Sequence, residues 1–357
     1  MILLPRVSPG EFRARWTAFD SAAEYLELSA SDRNIAWREH TGDDDFYEWP
    51  VPIEHFVCDP FYVGPAVTVR PKIRQFMADF CDPDGIYELF VFIGGIGSGK
   101  SFSASLLMLY SLYQLSCMRD PHKYLSTFPS VQISGDAEIA CINASGAGAR
   151  QAAKVVYGEV FEKVENSVYF KRHFEPYPLK TSELEFPGRI RFSPGTGEAR
   201  SVLGFNVFAF VVDEAAFGKE NQETDKDSVR ELFIALNQRR RSRFAKMGWG
   251  GLFTSPQSEH AFVEQLAGQG EVAGADVLVR RIATWDAKDE LQPGTTMFLL
   301  DRDPDSVRIL EEELTYIAPG VALRKNGDLV RFGHPVPPEH EARRIAAQYT
   351  AGRQAAA

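Results

Sequence analysis

The sequence predicts an α/β fold: a mainly parallel sheet flanked by helices. Three features carry that prediction. From Val67 onward, short apolar runs alternate with longer amphipathic segments. The runs at 88–93 and 207–212 are apolar at nearly every position, as suits strands covered on both faces. Between the first run and a helical segment lies a glycine-rich octapeptide.

In chain order, residues 1–60 read as a lead-in with a helix over 11–28 and an acidic, aromatic loop holding Asp43, Asp44, Asp45 and Trp49. A main domain is expected over 61–333. Within it, a strand at 88–93 leads to a helix at 100–117 that is apolar on nearly every side and so belongs in the centre of the domain. A strand at 137–142, a helix at 147–164 and short strands at 184–186 and 189–192 follow. The strand at 207–212, a helix at 228–244 and a strand at 251–254 complete the pattern. Residues 334–357, rich in Pro, Glu, Arg and Ala, read as a linker or a single terminal helix. The 24 residues after Gly333 are too few for a further catalytic domain.

The formal charge of −10 argues against a nucleic-acid-binding surface spread over the whole molecule, so any such contact must be a local patch. Cys58, Cys81, Cys117 and Cys141 show no metal-ligand spacing and read as buried thiols in a reducing compartment. The apolar start is interrupted at Pro5 and Arg6, too early for a signal peptide, and no apolar run is long enough to span a membrane. A cytoplasmic protein is the expectation.

Gly94-Gly95-Ile96-Gly97-Ser98-Gly99-Lys100-Ser101 matches G-x-x-x-x-G-K-[ST] in the strand-to-helix context that the motif requires. Glycines let backbone N–H groups turn inward around phosphates, and the helix N-terminus, running on through Phe102, adds partial positive charge. Lys100 is expected to reach the β- and γ-phosphates of ATP, and the Ser101 hydroxyl to coordinate Mg²⁺. The apolar run ending in Asp213 and Glu214 places two carboxylates at the C-terminal edge of a strand, the edge where open α/β sheets bind ligands. Asp213 is expected to hold Mg²⁺ through its water shell, and Glu214 to act as the catalytic base on the attacking water.

Five stretches in fixed order resemble the ATPase domain of the viral terminase large subunit. They are the phosphate loop, Glu138–Ser145 running into Arg150, Ser201–Asn206, Val211–Ala216 and Leu252–Pro256. The resemblance covers roughly Val67 to Leu300. It implies a RecA-like fold of the class with an additional strand and a catalytic glutamate. The activity implied is that of a bacteriophage packaging motor that couples ATP hydrolysis to translocation of double-stranded DNA into a prohead. Implied partners are the portal protein, the small terminase subunit and further copies of the chain in a ring, within the infected host cell. By the same resemblance, Thr254 and Ser255 form a coupling motif and Gln75, in the segment Arg70–Gln75, contacts adenine. On the residues alone, Thr254 and Ser255 read equally well as the start of a turn before Pro256.

One departure from the family pattern is the lack of an arginine inside the phosphate loop, so a transition-state charge must come from elsewhere. Arg239, Arg240, Arg241, Arg243 and Lys246 form the densest basic cluster, and one of the first three is expected to reach a neighbouring subunit's ATP while others touch DNA phosphates. Cations at a helix C-terminus also complement the helix dipole, which accounts for one or two of them. A helicase or recombinase of the same core and a nucleotide-dependent assembly module are the alternative functions. An assembly module that only binds nucleotide has no use for Glu214.

Overall fold

The computed structural model describes residues 45–47, 50–65, 67–82, 85–95, 97–133, 137–145, 153–177, 183–195, 204–215, 228–255, 262–272, 275–282, 296–303, 306–318, 320–331 and 338–356. The expected helix at 11–28, Asp43, Asp44 and Trp49 lie outside them, as does Ile96 of the phosphate loop. Two compact units are present, Met1–Ala287 and Lys288–Ala357.

In the first unit, α1 (Pro71–Phe80) precedes β1 (Leu89–Gly94), and α2 (Lys100–Ser116) follows it. Next come β2 (Ile139–Ser145), a π-helical turn (Ala153–Tyr157) and α3 (Gly158–Asn166). After these lie β3 (Leu184–Phe186), β4 (Ile190–Pro194), β5 (Asn206–Asp213), α4 (Ser228–Phe244), β6 (Trp249–Thr254), α5 (Phe262–Gly270) and β7 (Val277–Ile282). The sheet order is β3-β4-β2-β5-β6-β1-β7. Every pairing is parallel except β3 with β4. The strand β6 is thus inserted between the strand that leads to the phosphate loop and the strand that ends in Asp213.

Alternation along β1 shows how this sheet is buried on both sides. Phe90 and Phe92 join the core under α1, α2 and α3, while Leu89, Val91 and Ile93 join the core under α4 and α5. In β5 the alternation is broken once. Its register against β2 shifts at Ala140/Cys141, and Phe208 and Ala209 both face the α2 side. The extra residue resets the parity, so that Val211 faces α2, Val212 faces away, and Asp213 comes back to the α2 face. A strand without that bulge would point Asp213 to the other layer.

Two glycines in β6 serve packing. A methyl at Gly251 would overlap the Phe90 ring and one at Gly250 would overlap Phe210. Phe90 lies across β6 in a cluster with Phe80, Trp249 and Phe253, and the Trp249 indole N–H donates to Ser111 Oγ at 2.9 Å. Cys81, Cys117 and Cys141 are buried thiols, whereas Cys58 is exposed, contrary to expectation. Among the described residues no helix is long and apolar enough to cross a membrane.

The second unit corrects the expected boundary at 333. It is a four-stranded antiparallel sheet, order β11-β10-β9-β8, made of β8 (Thr296–Asp303), β9 (Ser306–Ala318), β10 (Val321–Leu323) and β11 (Leu329–Arg331). It closes its own small core of Leu314, Ala322 and Val330, and α6 (Glu339–Ala356) lays Ala342 on Ile317 and Val321. The helix α6 therefore belongs to this unit, and of the linker or single terminal helix expected after 333 it is the helix that is present.

Overpacking at β6 gives a test of this core. Gly251→Ala is expected to cost about 1–3 kcal/mol in urea unfolding, and a second change, Phe90→Leu, to recover part of that loss. Additive losses in the double variant would contradict the ring-over-glycine packing.

Candidate active site

The C-terminal edge of β1, β5 and β6 gathers the chemistry-bearing side chains. After Gly94 the chain turns back on itself so closely that a methyl there would overlap the Ser98 hydroxyl, and Ser98 N–H donates to Gly95 O at 3.1 Å. Gly99, the N-cap of α2, has φ +93°, a left-handed conformation that glycine adopts without strain. From that cap, α2 points its free N–H groups into the loop, the arrangement that receives phosphate oxygens.

Lys100 is buried, and its Nζ donates to Gly94 O at 2.9 Å, Gly95 O at 3.2 Å and Ser255 Oγ at 3.1 Å. Ser101 Oγ donates to Asp213 Oδ2 at 2.8 Å, and the Glu214 backbone N–H donates to Asp213 Oδ1 at 3.0 Å. Burial raises the Asp213 carboxyl above its ordinary range, and the bonds from Ser101 and the Glu214 backbone, with Lys100 nearby, pull it partly back. Glu214 carries φ +50°, rare for a residue with a side chain, which aims its carboxyl across the loop. Its Oε2 is buried with no hydrogen-bond partner among the described residues. Burial, then the charge of Asp213, raises its carboxyl. A cavity of about 460 Å³ opens over these groups, lined among others by Arg70, Gly97, Lys100, Ser101, Glu159 and Glu214.

Of the residues expected in the site, Gly94, Gly95, Gly97, Ser98, Gly99, Lys100, Ser101, Asp213 and Glu214 come together at this edge. Phe102 lines the cavity with them. Thr254, buried at the end of β6, donates to Ser255 O at 3.2 Å, and Ser255 Oγ accepts from Lys100 Nζ. Gln75 stands apart. It is exposed on α1, does not line the cavity, and its Nε2 donates to Asp79 Oδ1 at 2.7 Å, with Arg280 on the other oxygen of Asp79.

The basic cluster also needs correction. As the crossover between parallel strands β5 and β6, α4 runs antiparallel to them, so its C-terminal end returns to the N-terminal edge of the sheet, opposite the phosphate loop. Arg240 is fully buried there and binds Glu88 Oε2 at 3.0 Å and Gly248 O at 2.7 Å. A guanidinium so enclosed is a structural counter-ion for the buried Glu88 and is closed to a neighbour's nucleotide. Arg241 is exposed but pairs with Asp276 at 2.6 Å, and Arg239 is half-buried on the same helix end.

Arg70 and Glu159 are lining residues that the sequence did not single out for this role. Glu159 Oε2 accepts from Ser105 Oγ at 2.9 Å and from Lys163 Nζ at 3.1 Å, which fixes α3 to the phosphate-loop helix. Only a Glu-Lys pair at helical spacing marks it in the sequence, and that is a common surface pattern.

A strand inserted between the phosphate-loop strand and the Asp-Glu strand, with these groups at one sheet edge, defines a RecA-like P-loop NTPase fold. The chain belongs to the family described as "Uncharacterized protein MJ0330, N-terminal P-loop domain", whose model matches residues 30–293. Among solved structures it is similar to the HK97 bacteriophage large terminase, at 11% identity and TM-score 0.47 over 64% of this chain and 43% of that one. It is also similar to the large terminase ATPase domain of Thermus phage P74-26, at 15% identity and TM-score 0.38 over 62% of this chain and 89% of that one. A third similar structure is a large terminase from a thermophilic bacteriophage in complex with ADP, at 13% identity and TM-score 0.40, covering 62% and 47%. The chain thus spans less than half the length of the HK97 protein. No curated protein matches the sequence.

Raised carboxyls make the site a local cost to stability. Because folding favours their protonated forms, the stabilising contribution is full below the unfolded-state value and is lost as pH rises through the folded-state value. Asp213→Asn keeps an acceptor for the Glu214 N–H and removes the charge. It is expected to melt above the wild type at about pH 8, with the gain shrinking toward about pH 4.5. Melting curves that run parallel across that range would contradict the raised Asp213 carboxyl.

Proposed function

We propose that this chain hydrolyses ATP at the phosphate loop and uses the cycle to translocate double-stranded DNA, as the packaging motor of a virus. The observation that carries the hydrolytic part is Glu214, a carboxylate with a buried, unpartnered oxygen beside Asp213 at the mouth of the loop. A module that only bound nucleotide would gain nothing from such a group, which costs stability where it stands.

Lys100 and the loop N–H groups are suited to hold the β- and γ-phosphates. A hydroxyl and a carboxylate 2.8 Å apart, Ser101 and Asp213, form the hard oxygen donor set that fits Mg²⁺. When bound, the ion neutralises charge on the β- and γ-oxygens. Glu214 takes the proton of the attacking water as the water oxygen bonds to the γ-phosphorus, and the bond to the bridging oxygen breaks to release ADP. Lys100 now bonds Ser255; a γ-phosphate that draws Nζ away frees the end of β6, which gives the coupling role of Thr254 and Ser255 a physical basis.

Translocation of DNA, the portal protein, the small terminase subunit and a homo-oligomeric ring come from the terminase resemblance of the motif order. The test combines the chain with matching empty proheads, linear duplex DNA and ATP, and scores DNA protected from added nuclease. Protection that requires ATP and vanishes in Glu214→Gln is the expected result. Absent protection together with unwinding of a forked duplex without proheads would replace the packaging reading with a helicase.

A further inference from the structure

We propose that Arg70 is a catalytic residue of this site, supplying within the same subunit the second positive charge on the γ-phosphoryl group. The inference rests on the ATPase reading above. The phosphate loop carries no arginine; Arg240 and Arg241, in the last turns of α4, lie at the opposite edge of the sheet, and Arg230, in its first turn, lies over the Phe262 ring. Among the described residues that line the cavity, Lys100 and Arg70 are the cations. Facing them are Glu214 and Glu159, with Asp213 behind, and of these Glu159 already has Lys163 as its counter-ion. A triphosphate adds several further negative charges. One buried lysine shared with two carbonyls and Ser255 is a thin balance for them.

The backbone fixes where Arg70 stands. It precedes Pro71, which holds it extended (φ −67°, ψ 147°), and it is the N-cap of α1. The start of α1 is seated on the loop itself, since Ile73 Cδ1 lies 3.5 Å from the position a Cβ would take on Gly99. Arg70 therefore overhangs the loop, and its Nη1 donates to Gly97 O at 3.4 Å. That bond is long and exposed, so exchanging it for a phosphate oxygen costs little. Charge-assisted, forked N–H donors are the groups that suit a phosphoryl oxygen in a loose transition state. Arg74, one turn along, has its Nη1 directed to Cys58 Sγ and does not line the cavity.

The experiment separates this role from ATPase activity as such. ATP and ADP affinities are measured by calorimetry in Glu214→Gln, where ATP stays uncut, with and without the added change Arg70→Gln. Steady-state turnover is measured in Arg70→Gln alone, with thermal melting as the folding control. A lost γ-phosphate contact predicts an ATP affinity lower by about tenfold with ADP affinity unchanged, and kcat lower by about 10³-fold or more. It also predicts wild-type specific activity independent of protein concentration. Equal losses for ATP and ADP would overturn the proposal by placing Arg70 on the nucleoside or β-phosphate. Unchanged ATP preference, or activity that rises with protein concentration, would also overturn it. A wild type that binds ATP with the Arg70-dependent preference yet never cleaves it would instead defeat the ATPase reading and leave the contact standing.

Discussion

The hydrogen bond from Ser101 to Asp213 is the constraint around which the site is built. It joins the first turn of the phosphate-loop helix to the end of a strand two places away in the sheet, and it forms because three independent features agree. The loop must end in a serine on the inner face of α2. The strand β5 must stop at the same edge as β1, which parallel pairing through β6 ensures. The irregularity near Phe208 must also turn Asp213 to the α2 face. Once Asp213 is there, its neighbour Glu214 lies beside the loop, at the cost of a left-handed backbone and a buried carboxyl.

Charge is divided between the two edges of the sheet by the same topology. At the C-terminal edge burial raises the carboxyls of Asp213 and Glu214, a local reserve of unfavourable electrostatics. At the N-terminal edge Glu88 is buried but compensated, gripped by Arg240 and Arg241, and Arg241 reaches on to Asp276 just before β7. That network pins the starts of β1, β6 and β7 to the end of α4 through Glu88, Gly248 and Asp276. A rigid far edge leaves the near edge as the place where a contact such as Lys100 to Ser255 can change with the nucleotide.

The phosphate loop, α2, β5 and Asp213-Glu214 are legible in the sequence because their signals are local: glycine spacing, a strand-to-helix switch and an apolar run ending in acids. What escapes local reading depends on long-range placement. The run Arg239–Arg241 looks like a surface patch, yet the helical turn that carries it ends over Glu88, and Arg240 goes inside. Arg70 and Gln75 sit five positions apart in one basic segment, and only the docking of Ile73 against Gly99 decides which of them overhangs the loop. The strand β9 is long and rich in charge, and its alternation is interrupted by register shifts against β8, so no clean period of two marks the second unit.

The role of Glu214 is tested by following bound nucleotide and released phosphate together in one sample of Glu214→Gln with Mg²⁺ and ATP, beside the wild type. The prediction is near-normal ATP binding with phosphate release lower by about 10²- to 10⁴-fold, since the loop, Ser101 and Asp213 are intact and only the proposed proton acceptor is lost. Phosphate release at the wild-type rate would contradict the assignment of Glu214 as the base, and with it the reading of this sheet edge as a hydrolytic site.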